Sequence, residues 1–266
     1  MAWVETESLS FSARHESGDE PCAHRTLDGL EELRLRLEDR GFDDVPDEVT
    51  VVIHPTPAWL AAAHPFLPLA RWAAAPAGRR YLAGWVMATE LPILNDEHAD
   101  RRAGGPDSQR ALRGTADRLY AQVVLGANNP VLPPPWGPRR FSRYLRWAWL
   151  IEGAAQYFSG QVALFRPAVM RRMREGKPPT FPPSARDAII LGGTIFELLD
   201  REIGRSATDV LVSRPGRGGL QASLEIAFDA PLVTIERAWR SHLRELTEGR
   251  SAGEDPEGGI PELRLS

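Results

Sequence analysis

Cysteine and lysine are almost missing from this chain. Cys22 is the only cysteine in 266 residues, so no internal disulfide can form and a cysteine-rich zinc site is excluded. Lys177 is the only lysine among 32 basic residues; all the others are arginine. That bias reads most simply as the codon usage of a GC-rich genome, ahead of a design for bidentate anion binding. No apolar run reaches the ~18 residues of a membrane span. The N-terminal stretch MAWVETESLSFSARHE carries acids and lacks the apolar core of a secretory signal. The expectation is a soluble, cytoplasmic protein with no membrane span. A net charge of -4 argues against a nucleic-acid partner held by bulk charge.

What is present is apolar material. A hydrophobic content of 42% supports a sizeable core, as one large domain or two small lobes. Residues 5–14 alternate loosely and predict a strand. Leu27, Leu30, Leu33 and Leu37 then recur at helical spacing, and Gly41 stands where a helix would be capped. DEVTVVIHP predicts a β-branched strand stopped by Pro55. PAWLAAAHPFLPLARWAAA predicts a short helix broken by Pro65 and Pro68, and RYLAGWVMATELPIL two short strands or a hairpin arm. NDEHADRRAGGPDSQ reads as a polar loop, with Asp107 or Ser108 capping the helix QRALRGTADRLYAQVVLGAN. Two proline-rich loops, NPVLPPPWGPRR and GKPPTFPPS, flank a helix over 142–165, and helices follow over 185–203, LQASLEIAF and LVTIERAWRSHLREL. The class is α+β: a mixed α/β lobe over 1–107, a helical lobe over 108–246 and a flexible tail over 247–266, the two lobes forming one structural unit.

Chemistry-bearing residues are sparse. The histidines are His15, His24, His54, His64, His98 and His242. HESGD (15–19) is the only His-Glu pair and reads as a turn at a strand end. DEHAD (96–100) reads as a solvated loop, with a weak divalent site as the lesser option. His54 reads as a strand-end contact. Cys22 has His24 two residues on but nothing that marks it as activated, and no G-x-S-x-G elbow occurs. LGANNP and RPGRGG (214–219) contain glycine, but neither has phosphate-loop spacing after a strand. RPAVMRRMREG (166–176) reads as a basic helix end, compatible with the helix dipole.

One helix is unusual. WLIEGAAQYFSG is apolar throughout, yet Glu152 and Gln156 lie inside it one turn apart. Trp149, Leu150, Glu152, Gly153, Ala155 and Tyr157 match W-L-x-E-G-x-A-x-Y, and GGTIFELLDREIG and ASLEIAFDAPLVTIERAW follow in order. In these stretches, and in the order of strand, long helix, VTVVIH, GWVMATELPIL, helix and proline-rich loop before them, the chain resembles the gluzincin metallopeptidases of the peptidase MA-like type over roughly residues 6–246. The resemblance implies a zincin-like fold, a small mixed sheet lobe followed by a helical lobe. It also implies that Glu152 stands where the third zinc ligand stands. By order, H-E-x-x-H falls on Tyr120, Ala121, Gln122, Val123 and Val124. The helix ADRLYAQVVLGANNP has no histidine and no glutamate, so zinc is expected to be absent, with no other cofactor. The oxyanion-stabilising tyrosine of such enzymes falls near Ile189. Tyr120, Ala121, Val124, Glu152, Gln156 and Ile189 are therefore vestigial positions. Arg118 or Arg146 is the candidate to neutralise Glu152.

The expected role is that of an inactive homologue, a pseudo-peptidase acting by binding, regulation or scaffolding. The alternatives are an active zinc peptidase with displaced ligands, His98 or His64 swinging to Glu152, or an unrelated α+β interaction domain. The former cleft is the place for a peptide or protein partner. Trp136, Trp147 and Trp149, three of eight tryptophans, either rim such a groove or staple helix to loop in the core.

Overall fold

The computed structural model describes residues 2–64, 66–87, 89–132, 138–213 and 219–248. The chain starts with β1 (Trp3–Glu7) and β2 (Phe11–Glu16), an antiparallel hairpin where a single strand was expected. Glu31 reverses the chain there: its carboxylate accepts from Ser8 Oγ and from the Ser10 N–H, each at 2.7 Å. Helix α1 (Glu20–Asp39) crosses over to β3 (Val49–His54), which runs parallel to β2. The four predicted leucines of α1 are all buried. Gly41, at φ +89°, ends the helix as expected, and the Gly41 and Phe42 N–H groups return to Glu38 O and Leu37 O.

Helices α2 (Pro57–Ala63) and α3 (Phe66–Ala73) lead to β4 (Glu90–Leu94), parallel to β3. The sheet order is β1-β2-β3-β4. Pro65 lies outside the described residues. Pro68 does not break α3, because it sits in the first turn, where no N–H has an intrahelical partner. The expected hairpin arm survives as one bridge, Gly84 to Ile93, with hydrogen bonds from Trp85 N to Pro92 O and Met87 N to Glu90 O.

The polar stretch after β4 is helical, contrary to expectation. Asn95 caps α4 (Asp96–Arg102) by accepting from the His98 N–H at 3.1 Å, and acids at its start and arginines at its end suit the helix dipole. Helix α5 (Pro106–Arg113) follows, then α6 (Thr115–Asn128). The cap of α5 is Gly105, not Asp107 or Ser108, and the predicted long helix is split at Gly114. The Gln161 side chain is seated at that split, its Nε2 donating to Gly114 O at 2.6 Å. The 107/108 lobe division thus falls inside α5.

Helix α7 (Pro138–Phe158) stops short of Phe165 because Gly160 takes φ +73° and Gln161 N returns to Gln156 O. After it come α8 (Arg166–Met173), α9 (Ala188–Glu202), α10 (Arg205–Ser213), α11 (Leu220–Phe228) and α12 (Leu232–Glu248). Helix α10 had no sequence expectation. Thr247 and Glu248 belong to α12 rather than to a tail, and 249–266 lie outside the described residues. The class is α+β, and buried apolar residues of both halves form one core. No helix among the described residues is long and apolar enough to cross a membrane.

Two glycines let α7 and α9 approach closely. A Cβ on Gly153 would stand 2.5 Å from the Gly192 backbone, and one on Gly192 would stand 2.6 Å from Trp149 O. Helices α7 and α9 therefore touch backbone to backbone, which accounts for the glycine following Glu152. That contact fixes α7, and with it Glu152, against the rest of the helical half.

Candidate functional site

Helix α6 packs beside α7, and the side chains that meet across this contact are polar. Glu152 is 3% exposed. Its Oε2 accepts from Arg118 Nη1 at 2.8 Å; its Oε1 accepts from the Tyr144 hydroxyl at 2.7 Å and from Gln122 Nε2 at 3.2 Å. Arg118 is equally buried, and its Nη2 donates to Tyr81 O at 3.1 Å, tying in the turn before the hairpin arm. Tyr144 lies two turns before Glu152 on α7 and packs against Trp85 and Phe141. Burial, the Glu152 charge and the hydrogen bond to it all hold the Tyr144 phenol protonated, well above the usual phenol range.

Of the two arginines considered, Arg118 is the partner. Its companion is not Tyr120 but Gln122, one turn further along α6, and the phenol is that of Tyr144. Arg118 and Gln122, and not Tyr120 and Val124, are the α6 residues that face Glu152, a different face of the helix. Tyr120 instead meets the sheet: its hydroxyl donates to Pro46 O at 2.7 Å and its ring stands edge-on to Phe11 at 5.0 Å. Ala121 and Val124 are buried apolar core. A signal for the pair existed in the sequence, since Arg118 and Gln122 are polar residues four apart in the helix before Glu152.

Gln156 does not share the Glu152 cluster. Its Nε2 donates to Ile189 O at 2.6 Å, so these two positions meet each other across the α7–α9 contact. The Ile189 side chain is buried. Trp147 and Trp149 are buried in the core; Trp136 lies outside the described residues.

The space left beside Glu152 is about 10 Å³, lined among others by Gly84, Trp85, Leu119 and Gln122. That is about the room of one water molecule. Every oxygen of the carboxylate is committed to a donor, and none of the groups around it is a nucleophile or a free base. The arrangement holds α6 and α7 together.

The other candidates are structural as well. His15, far from lying in a surface turn, is fully buried, bonded to Thr6 Oγ1 at 2.8 Å and to Glu16 O at 2.7 Å. His98 packs on Asn95, with 3.1 Å between its Nδ1 and the amide oxygen. His54 and His64 are buried, and that burial lowers both imidazole pKa values. The exposed His24 stands 3.7 Å from Glu20, and His242 lies 3.2 Å from Glu197. The DEHAD acids serve ion pairs: Asp96 with Arg25, Glu97 with Arg101 and Asp100 with Arg113. Cys22 is buried, and burial together with the Asp96 charge pushes its thiol up, away from the reactive thiolate. In the basic stretch 166–176, Arg172 is buried and forks onto Asp187 at 2.6 and 2.8 Å. Residues 214–218 of RPGRGG lie outside the described residues. No group of three His, Cys, Asp or Glu side chains suited to a metal occurs among the described residues. Comparison with protein-family models, with curated proteins and with solved structures finds no match to this chain.

Proposed function

We propose that this chain is a gluzincin-like scaffold in which an ion pair stands in place of a metal centre, and that it works by binding rather than by hydrolysis. The observation that carries the proposal is the convergence of Arg118 and Gln122, one turn apart on α6, upon Glu152 of α7. Two histidines one turn apart plus a glutamate from the following helix is the gluzincin zinc pattern. In that register Arg118-Leu119-Tyr120-Ala121-Gln122 replaces H-E-x-x-H. Zinc does not fit the replacement. A guanidinium donates and cannot ligate, Gln122 turns its N–H groups to the carboxylate, and Leu119 cannot take a proton. The guanidinium supplies the positive charge that Glu152 requires when buried. With about 10 Å³ beside the carboxylate, a peptide or protein partner docks elsewhere. The mixed sheet followed by helices supports the same scaffold.

Metal analysis and reconstruction test this. The purified protein is expected to lose zinc on gel filtration, whereas R118H/L119E/Q122H is expected to retain it stoichiometrically and to lose it again on adding Glu152→Ala. A folded triple variant that binds no zinc would overturn the zincin-like register. Stoichiometric zinc in the wild type, with proteolysis abolished by Glu152→Ala, would overturn the non-catalytic role.

A further inference from the structure

A second, larger pocket of about 230 Å³ opens beside the buried cluster. Its walls include Arg80, Tyr81, Arg171 and the segment from Gly104 to Ser108 that starts α5. The turn carrying Arg80 into this pocket is the one whose Tyr81 carbonyl accepts from Arg118.

Three observations describe its chemistry. First, neither the Arg80 nor the Arg171 guanidinium has a hydrogen bond or ion pair among the described residues. Second, the amides of Asp107 and Ser108 open the first turn of α5 with no backbone partner, as donors at a helix N-terminus do. Third, Ser108 lines the pocket, is 3% exposed, and its hydroxyl has no partner. A buried polar group in that condition is costly unless a ligand or water meets it. Positive charge accumulates nearby, and the lining also carries the Asp107 carboxylate. Arg102 donates to Arg79 O, and burial with the charges of Arg71 and Arg80 brings it down to about 10. The acids at hand are engaged: Asp107 with Arg110 at 2.6 Å, and Glu175 with the Ala77 N–H at 3.2 Å. Gly104 lets Arg80 lie on the loop, since a Cβ there would stand 2.3 Å from Arg80 Nη1.

We propose that this pocket binds a phosphate group, free or as the monoester of a small molecule, held by Arg80, Arg171, the first-turn amides of α5 and the Ser108 hydroxyl. A guanidinium fork and helix-terminal amides match phosphate oxygens in charge and direction. The volume lies below that of a drug-sized site, which suits a phosphate with a short substituent. The preference for arginine over lysine then has a local use, beyond codon bias. The proposal does not depend on the zincin-like reading.

Calorimetry with the whole chain tests it, using inorganic phosphate and glycerol phosphate against chloride at matched ionic strength. Saturable phosphate binding is expected in the wild type. Arg80→Gln and Arg171→Gln should each weaken it about tenfold or more, as loss of a charge-assisted contact does. Gly104→Ala should weaken it by displacing Arg80 while leaving thermal unfolding nearly unchanged. Arg101→Gln, on an exposed ion pair, should have no effect. Tighter binding of the monoester identifies it as the ligand class; equal or tighter binding of inorganic phosphate identifies the free ion. No binding above chloride, or wild-type affinity in folded Arg80→Gln and Arg171→Gln, would sink the proposal.

Discussion

Arg118 Nη1 donates to Glu152 Oε2 at 2.8 Å between α6 and α7, and both side chains are sealed from water. Removing either partner strands a buried charge, which costs about 3–5 kcal/mol. Arg118→Ala and Glu152→Ala are each expected to lose stability of that order in urea unfolding. The double variant should lose much less than their sum, because both desolvation penalties vanish together. Additive losses would show that the two residues act separately.

Tyr144 gives a milder test of the same cluster. Tyr144→Phe keeps the ring against Trp85 and Phe141 but removes one donor to Glu152. A loss of roughly 1–3 kcal/mol is expected, read by the unfolding midpoint at constant m-value.

The α7–α9 crossing should tolerate no side chain. Gly153→Ala and Gly192→Ala each place a methyl within 2.5 or 2.6 Å of facing backbone. Backbone cannot swing aside as a side chain can, so a loss of at least about 1–3 kcal/mol is expected. Gly18→Ala, which meets nothing within 4 Å, is the control. Equal thermal midpoints for the three variants would refute the close crossing.

Asp117 should make stability fall with rising pH. Burial raises its carboxyl from 3.8 to about 6, against the opposing pull of Arg36. Between those values the folded chain holds a proton that the unfolded chain has released. Raising the pH through this window therefore favours unfolding, by up to roughly 2–3 kcal/mol. Asp117→Asn is expected to flatten that part of the profile and to be more stable than wild type above pH 6. A profile identical to wild type would count against the shift.

Arg172→Lys should behave as a damaging change. The guanidinium meets Asp187 through two parallel bonds and also donates to Lys177 O. An ammonium cannot reproduce that fork. Hydrogen exchange in α8 and at the start of α9 is expected to accelerate in the variant. Unchanged protection there would remove the clamp from the account of how α8 is held.

Much of the fold was legible locally. The α1 leucines, Gly41 and the β-branched β3 each carry a period or a breaker that one strand or helix needs. The gaps have local causes too. Glu31 turns 8–10 into a hairpin from a distance in sequence, Asn95 caps a stretch whose polarity reads as loop, and Gly160 ends α7 early. For the candidate site, the carboxylate in an apolar helix marked Glu152 as unusual. Counting elements in order then put the facing residues at 120–124, two residues off, because order along a chain carries no information about helix rotation.

The sequence by itself determined that Glu152 is a charge in an apolar helix and that the helix before it has no histidine to hold a metal. Its neighbours were decided only by the tertiary structure. The contact of Gly153 with Gly192 sets where α7 sits, and the packing of α6 against α7 sets which face of α6 meets it. Rotating a helix by two residues changes every partner without changing its periodicity. That is why the choice of Arg118 over Arg146, and the roles of Gln122 and Tyr144, needed three dimensions, while the need for some partner was readable in one.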